Sequence, residues 1–334
     1  MKYFIPIFVF AAAVTSSVEA FLPHSTTRAN QWGTTSTKLR MSAEDFKDVK
    51  VMVNGMPGPM ATSAAEACLR KGLDLSPIAL TGPDIEPCTI TVADKVTERY
   101  ANVKLVPASN MEEFKKSVEE LKEKCGPNNL LAIDFTHPSA VNGNALFYAD
   151  NNIPFVMGTT GGDREKLMSD MEEKKAFAVI APNMAKQIVA LQAGLEDLAK
   201  KYPGAFEGYQ LTVKESHQKT KADTSGTAKA VVESLEQLST CGFTVDDIEL
   251  VRDDEESIAF GVPEDALNGH AFHTYTLTSA DGSVEFQLKH NVAGRSVYAE
   301  GTADAVKFLA KKLRTEETGK IFSMINVLEE GALE

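Results

Sequence analysis

Apolar and polar positions follow two different rhythms along this chain. From Val49 the apolar residues come in short unbroken runs: Val49, Val51, Met52 and Val53, then Ile78-Ala79-Leu80, Leu130 to Phe135, Pro154 to Met157, and Phe177 to Ala181. Such runs mark strands buried on both faces. A turn follows most of them, and helical spacing follows the turn. Asn54 to Met60 leads into an Ala-rich helix over 61–70, with Pro59 suited to its first turn. Pro138 starts another helix, Gly158 to Gly162 precedes one reaching Lys175, and Pro182-Asn183-Met184 precedes one through Lys200. Strands alternating with helices predict a parallel, doubly wound sheet. After Tyr202-Pro203-Gly204 the rhythm changes. Tyr209–Glu215, His270–Thr278 and Ser283–His290 are longer and alternate apolar with polar, the period of half-buried strands. This predicts a second, α+β domain with a mixed or antiparallel sheet. From Thr302 the chain is helical again, in a position to return to the first domain.

The first forty residues follow neither rhythm. Lys2 precedes an apolar run from Tyr3 to Val14, and Val18-Glu19-Ala20 offers a small-residue cleavage site, the layout of a signal peptide. Residues 21–40 are rich in Ser and Thr, carry Arg28, Lys38 and Arg40, and hold no acidic residue, which is transit-peptide composition. With Phe21 at the junction, residues 1–40 resemble the two-part presequence of algae with secondary plastids. Plain secretion is the alternative. The whole chain has a formal charge of −13, and without its basic leader the remainder is more acidic still. That surface repels nucleic acid and anionic membranes, so an anionic substrate needs a local cationic site. Cys68, Cys88, Cys125 and Cys241 are scattered, and no His stands at ligand spacing from them. The expectation is reduced, structural cysteines and no metal.

The densest chemistry lies in Glu215-Ser-His-Gln-Lys-Thr-Lys-Ala-Asp-Thr-Ser-Gly-Thr227. A strand delivers His217 and Lys221, and Ser225-Gly226-Thr227 opens a helix. Helix N-termini carry free N–H groups and partial positive charge, which suit a carboxylate or phosphate. A titratable ring and a cation beside such a site imply proton transfer on a small anion. An ordinary strand-loop-helix with capping residues is the alternative. In open α/β sheets ligands bind beyond the carboxyl ends of the strands. Gly55, Met56, Pro57, Gly58, Pro59 and Met60, then Gly158, Thr159 and Thr160, then Ala181, Pro182, Asn183 and Met184 fill three such loops. Asn183 is a candidate amide for a nicotinamide or a substrate, or a helix cap. Thr81 stands where an acid usually holds a ribose hydroxyl, so a 2′-phosphate meets no repulsion there and NADPH is expected, with NADH as a second possibility. His137 reads as a helix start, and His270 and His273 as strand structure. Arg295, after His290-Asn291 and a Gly turn, is an anion clamp candidate or a surface ion-pair partner.

Together with Asp134-Phe-Thr136 and His290-Asn291, these segments occur in an order that resembles 4-hydroxy-tetrahydrodipicolinate reductase, the dihydrodipicolinate reductase of diaminopimelate and lysine biosynthesis, in its plant-type branch. The resemblance covers about residue 47 to the C-terminus. It implies a Rossmann-like domain over 46–185, an inserted α+β substrate and oligomerisation domain over 186–298, and a return to the first domain over 299–334. It implies hydride transfer from NAD(P)H followed by protonation, a small dicarboxylate substrate, a homo-oligomer (dimer or tetramer), and a plastid enzyme. His217 and Lys221 take the catalytic roles; Gln218, Ser225, Gly226, Thr227 and Arg295 hold substrate; the three loops and Thr81 hold the cofactor. The chain departs from the bacterial pattern at Gln218, Lys219 and Thr220, lacks one residue before Ser225, and has Pro59 in place of a cofactor-binding Arg. Two alternatives remain: another Rossmann oxidoreductase of the aspartate pathway, such as a semialdehyde dehydrogenase, or a non-catalytic nucleotide-binding regulator. The first needs a nucleophilic Cys in an electropositive loop, and Cys68 and Cys125 fall in helical stretches instead.

Overall fold

The computed structural model describes residues 46–315 and 318–330; the presequence read in residues 1–40 lies outside them. The described strands are β1 (Lys50–Asn54), β2 (Asp74–Leu75), β3 (Ile78–Thr81), β4 (Cys88–Ala93), β5 (Tyr100–Pro107), β6 (Leu130–Asp134), β7 (Phe155–Met157), β8 (Ala178–Ile180), β9 (Gln210–His217), β10 (Glu249–Val251), β11 (His270–Thr278), β12 (Glu285–Ala293) and β13 (Ile321–Phe322). The helices are α1 (Pro59–Arg70), α2 (Met111–Cys125), α3 (Val141–Asp150), α4 (Arg164–Glu173), α5 (Lys186–Lys201), α6 (Gly226–Ser239), α7 (Asp254–Ala259), α8 (Ser296–Thr315) and α9 (Met324–Glu329).

Six strands form one parallel sheet in the order β13-β8-β7-β6-β1-β2. β6, β7 and β8 are buried end to end and β1 is buried beyond Lys50, as their unbroken apolar runs require: Val51, Met52, Leu131, Ala132, Ile133, Phe155 and Val179 have no exposed surface. The strand order reverses between β1 and β6, which opens a crevice above their carboxyl ends. β13 comes from the C-terminal segment and pairs with β8, while α8 packs along α1.

One expected strand sits elsewhere. Ile78-Ala79-Leu80 is a strand, but Asp74–Leu75 makes the ladder with β1. Ile78–Thr81 joins a three-stranded sheet, β3-β5-β4, with two strands the apolar pattern left unread. Ser76 and Pro77 cause the shift, because Pro77 has no N–H to continue the ladder. β3 stays tied to the crevice, since the Gly55 N–H donates to the Leu80 carbonyl at 2.9 Å.

The second sheet has the order β10-β9-β11-β12. β10 and β9 are parallel, and the other pairings are antiparallel, so it is mixed as expected. Leu211, Val213, Tyr275 and Leu277 face a core shared with Val231, Leu235 and Leu238 of α6. No helix among the described residues is long and apolar enough to cross a membrane. All four cysteines are free.

Candidate functional site

At the switch point of the parallel sheet the backbone comes unusually close to itself. Gly55 has φ +102°, and a Cβ there would lie 2.4 Å from the Phe135 carbonyl oxygen. Only glycine fits that conformation comfortably. The next glycine, Gly58, precedes α1 and provides no side-chain cap, leaving the first-turn amides of Met60 and Ala61 to a ligand. Pro59 follows at the start of the helix, and Met56 is fully buried, so Met56 can offer only backbone to a ligand. Gly55 and Gly58 border a cavity of about 1000 Å³ whose wall also includes Pro57, Thr81, Asp84, Phe135, Thr136 and His137, while Met56, Pro59 and Met60 lie behind that wall.

A buried network shapes the crevice. Asp134 has no exposed surface; one carboxylate oxygen accepts from the Thr136 N–H (3.0 Å) and hydroxyl (2.7 Å), the other from Asn144 (3.0 Å) and the Tyr148 hydroxyl (2.6 Å). Asn54 donates to Tyr148 at 2.7 Å and accepts the Leu80 N–H at 2.7 Å. Burial first, and then the Asp134 charge, hold the Tyr148 phenol well above its ordinary pKa, so it remains a donor. Thr81 is buried and gives its proton to the Met56 carbonyl at 2.6 Å. It therefore ties the glycine turn together, and Asp84 supplies the acidic side chain on the cavity wall, which reading Thr81 alone did not reveal. His137 starts a short 3₁₀ turn, its ring accepting the Ser139 N–H at 3.2 Å, and also lines the cavity.

The other two loops lie beside this crevice rather than in its wall. A Cβ on Gly158 would meet the Phe135 ring at 2.3 Å. Thr159 donates to the Asp134 and Thr136 carbonyls at 3.3 and 3.1 Å, and Thr160 is exposed. In the third loop Ala181 and Met184 are buried and Pro182 is exposed. A Cβ on Gly301 of α8 would fall 1.7 Å from the Met184 carbonyl, so α8 grips this loop directly. Asn183 accepts the Ala185 N–H at 2.8 Å, a local turn before α5, and also donates to the Thr227 hydroxyl at 3.1 Å. That second bond joins the loop after β8 to the start of α6.

There Ser225 precedes α6 with no side-chain cap, and Gly226 has open space around its missing Cβ. The amides of this first turn thus have no intrahelical partner. The Ser225 N–H itself points at the buried Glu215 carboxylate, 3.2 Å from Oε2. Glu215 also accepts from Arg252 Nη2 at 2.5 Å and lies 3.5 Å from His273 Nε2. Although burial opposes its charge, hydrogen bonds from His273 and Arg252 hold its pKa at about 2.

His217 donates from Nδ1 to the His270 carbonyl at 3.0 Å, because a carbonyl can only accept. That leaves the Nε2 lone pair facing His273 Nε2 at 3.3 Å. Burial first, then the charge of His273, push the His217 pKa down to about 3, so the ring is neutral near pH 7. His290 stacks on His273 with centroids 4.5 Å apart. Ligand atoms of Glu215, His217 and His273 lie within 4.8 Å of one another, close enough for a metal; the cation actually on Glu215 is Arg252. Lys221 is ion-paired with exposed Asp223 at 2.6 Å. Gln218 accepts the Lys221 N–H through its backbone at 2.9 Å. Arg295 pairs with no carboxylate among the described contacts; it donates to the Asn268 carbonyl at 3.3 Å. It follows β12 at the sheet end where His270 pairs with Ala293 and His217 with Ala271. His270 and His273 are buried on β11, the strand their alternation predicts, and His273 also stands beside His217 and Glu215.

A Rossmann-like sheet with an uncapped glycine turn at its switch point, joined to a mixed sheet that carries a histidine–carboxylate cluster beside a second helix N-terminus, defines a nucleotide-dependent oxidoreductase. The comparisons with known proteins agree. The family model for the dihydrodipicolinate reductase N-terminus matches residues 49–184, and that for its C-terminus matches 188–328. Two chloroplastic 4-hydroxy-tetrahydrodipicolinate reductases of Arabidopsis thaliana are 45% identical over 291 residues and 44% over 284, each alignment covering 85% of this chain and 78% of the relative. A solved dihydrodipicolinate reductase from Paenisporosarcina sp. TG-14, with dipicolinate bound, is 20% identical with a TM-score of 0.53, covering 82% of this chain and 97% of that one. This last is a likeness of fold. The chain belongs to the dihydrodipicolinate reductase family; it is an oxidoreductase with a reductase role in lysine biosynthesis, and its N-terminal half is a nucleotide-binding domain that takes NAD(P)H.

Proposed function

We propose that this chain reduces 4-hydroxy-tetrahydrodipicolinate to tetrahydrodipicolinate, with NADPH or NADH, in the plastid stroma. The observation that carries the reading is the Asn183–Thr227 hydrogen bond, which brings a cofactor loop to the anion-binding start of α6. The domains follow from this division: residues 46–185 hold the dinucleotide, 186–298 the substrate, and 299–334 return to the first half. The pairing of β13 with β8 supports that return. The exposed alternation along β12, with Phe286 half-exposed at the sheet edge, supports a homo-oligomer. The chloroplastic relatives support a plastid destination.

The 4-hydroxyl of the substrate leaves as water; NAD(P)H, when bound, supplies the hydride, and one proton completes the product. The fit rests on the Gly55–Gly58 turn, where a side chain would collide with backbone and the α1 amides are left for a pyrophosphate. Thr159, Thr160, Pro182 and Asn183, on the loops after β7 and β8, would hold its nicotinamide half. Gly226 and Thr227 hold one substrate carboxylate through backbone N–H groups, with the uncapped Ser225 hydroxyl beside them, and Arg295 holds the other. Lys221 leaves Asp223 for the arriving dianion and donates a proton to it. His217 takes up a proton only when the dianion offsets the burial that keeps it neutral, and then passes it on. Gln218 follows His217 at the start of the same loop and would meet the substrate from there.

Purified protein lacking residues 1–40 should oxidise NADPH only when freshly made 4-hydroxy-tetrahydrodipicolinate is present. No oxidation with that substrate, alongside NADPH binding, would leave a nucleotide-binding regulator as the better reading. Pyridine-2,6-dicarboxylate should inhibit competitively, as its presence in the Paenisporosarcina enzyme suggests.

A further inference from the structure

Between His217 and Ser225 the chain has no regular secondary structure, yet it carries Lys221 and sets the entry to α6. Such a loop needs an external frame to aim its side chains. One residue supplies it. Arg252, just past β10, donates from Nε to the Lys221 carbonyl (2.7 Å) and from Nη1 to the carbonyls of Val251 (3.0 Å) and Glu215 (3.4 Å). From Nη2 it donates to Glu215 Oε1 (2.5 Å) and the Asp223 carbonyl (3.2 Å). A guanidinium has five N–H donors in a rigid fork, and all three of its nitrogens take part in these contacts. Glu215, with no exposed surface, fixes the fork and in turn accepts the Ser225 N–H.

We propose that Arg252 is the positioning residue of the catalytic loop: anchored on Glu215, it holds the carbonyls of Lys221 and Asp223 and so sets where Lys221 and the N-terminus of α6 point. It touches no reacting group. The carbonyl it grips on Lys221 belongs to the residue whose side chain must reach the substrate, so an error there moves the ammonium directly. Displacements near 1 Å in such geometry cost about 10²-fold in rate. Lysine cannot replace it, because an ammonium presents three donors from one point and cannot span carbonyls on both sides of the loop. Arg252 also neutralises Glu215, which would otherwise be a buried anion beside a site meant for anions.

The roles of Lys221 and α6 rest on the proposed function, so the test reads the loop both with and without turnover. Arg252→Lys and Arg252→Ala are compared with the parent protein by steady-state kinetics, thermal unfolding and hydrogen–deuterium exchange. The expected result for Arg252→Lys is a loss of about 10²-fold in kcat/KM for the dicarboxylate, with NADPH KM and unfolding midpoint nearly unchanged. Millimolar guanidinium should restore at least part of the activity of Arg252→Ala. Exchange should rise in peptides spanning 218–225 and not in those spanning the Gly55–Gly58 turn. That arm needs no substrate, so it separates failure of the clamp from failure of the reductase reading. Unchanged exchange in 218–225, or parental kcat and substrate KM in Arg252→Lys, would overturn the proposal. So would a rate loss matched by a collapse in NADPH binding and unfolding midpoint, which would mark Arg252 as a general stabiliser.

Discussion

The glycine turn above the parallel sheet and the loop between β9 and α6 both end in an uncapped helix N-terminus, yet they are built by opposite means. The first is shaped by backbone. Gly55 lies against the Phe135 carbonyl, Gly158 against the Phe135 ring, and Gly301 against the Met184 carbonyl, with contacts no side chain could tolerate. The second is shaped by charged and titratable side chains: Glu215, Arg252, His217 and His273 fill its floor, and Gly226 stands in open space. A nucleotide common to many enzymes can be held by amides and shape alone. Moving a proton on one particular substrate needs groups whose charge is tuned by burial and neighbours. The two halves should therefore fail differently when mutated.

The largest effect belongs to the tuned half. His217→Ala should lower kcat by about 10²–10⁴, the usual range for a general acid–base group. Lys221→Ala should lower kcat and raise substrate KM together, since it removes both a proton source and a cation. NADPH KM should move little in either variant. Two variants with parental turnover would sink the assignment of both residues.

A matched pair of glycine substitutions tests the contrast more sharply. Gly55→Ala forces a side chain into φ +102° and against the Phe135 carbonyl, so it should destabilise the fold by about 1–3 kcal/mol and impair NADPH binding. Gly226→Ala meets no neighbouring atom within 4 Å and should leave the unfolding midpoint alone. Its cost should fall on substrate KM, because the added methyl stands where a carboxylate approaches the amides. Equal destabilisation by both changes would erase the distinction between the two sites.

Acid should act mainly through the second half. His217 titrates near pH 3 when folded against an ordinary 6.5, and Glu215 near 2 against 4.5. In both cases the unfolded chain binds more protons within the window, so stability falls as pH drops, from about 6.5 toward 3 for His217 and from 4.5 toward 2 for Glu215. Thermal unfolding across pH 7 to 4 should show a declining midpoint, and His217→Gln should flatten the upper part of that decline. A parallel curve for the variant would mean that His217 is not held neutral by the fold.

How far the sequence anticipates this site depends on the range of the contacts. The alternation of Tyr209 to Glu215 and the helical spacing of Val231, Leu235 and Leu238 are local, and β9 and α6 appear where those patterns end. The loops after β1, β7 and β8 are equally local. Arg252 lies 37 residues from Glu215, His273 56 from His217, and Tyr148 94 from Asn54. No periodicity connects such pairs, and each becomes visible only when strands, helices and loops are packed together. β4 and β5 escaped for another reason: β4 is largely exposed, so burial imprints little pattern on it.

The smallest expected effect concerns the cofactor's distal end, where the two halves differ least. Thr81 is neutral but spends its proton on the Met56 carbonyl, and Asp84 lines the same cavity. A carboxylate there repels a 2′-phosphate and accepts from a ribose hydroxyl, so it pulls against the NADPH preference that Thr81 suggests. Its loop is exposed, and water and salt screen charges there over about 8 Å at physiological ionic strength. Asp84→Asn should therefore lower NADPH KM only a few-fold, raise NADH KM slightly, and leave substrate KM unchanged. The benefit to NADPH should shrink as salt is added. A change confined to NADH, or one indifferent to salt, would place the 2′-position away from Asp84 and return the choice of cofactor to the backbone of the Gly55–Gly58 turn.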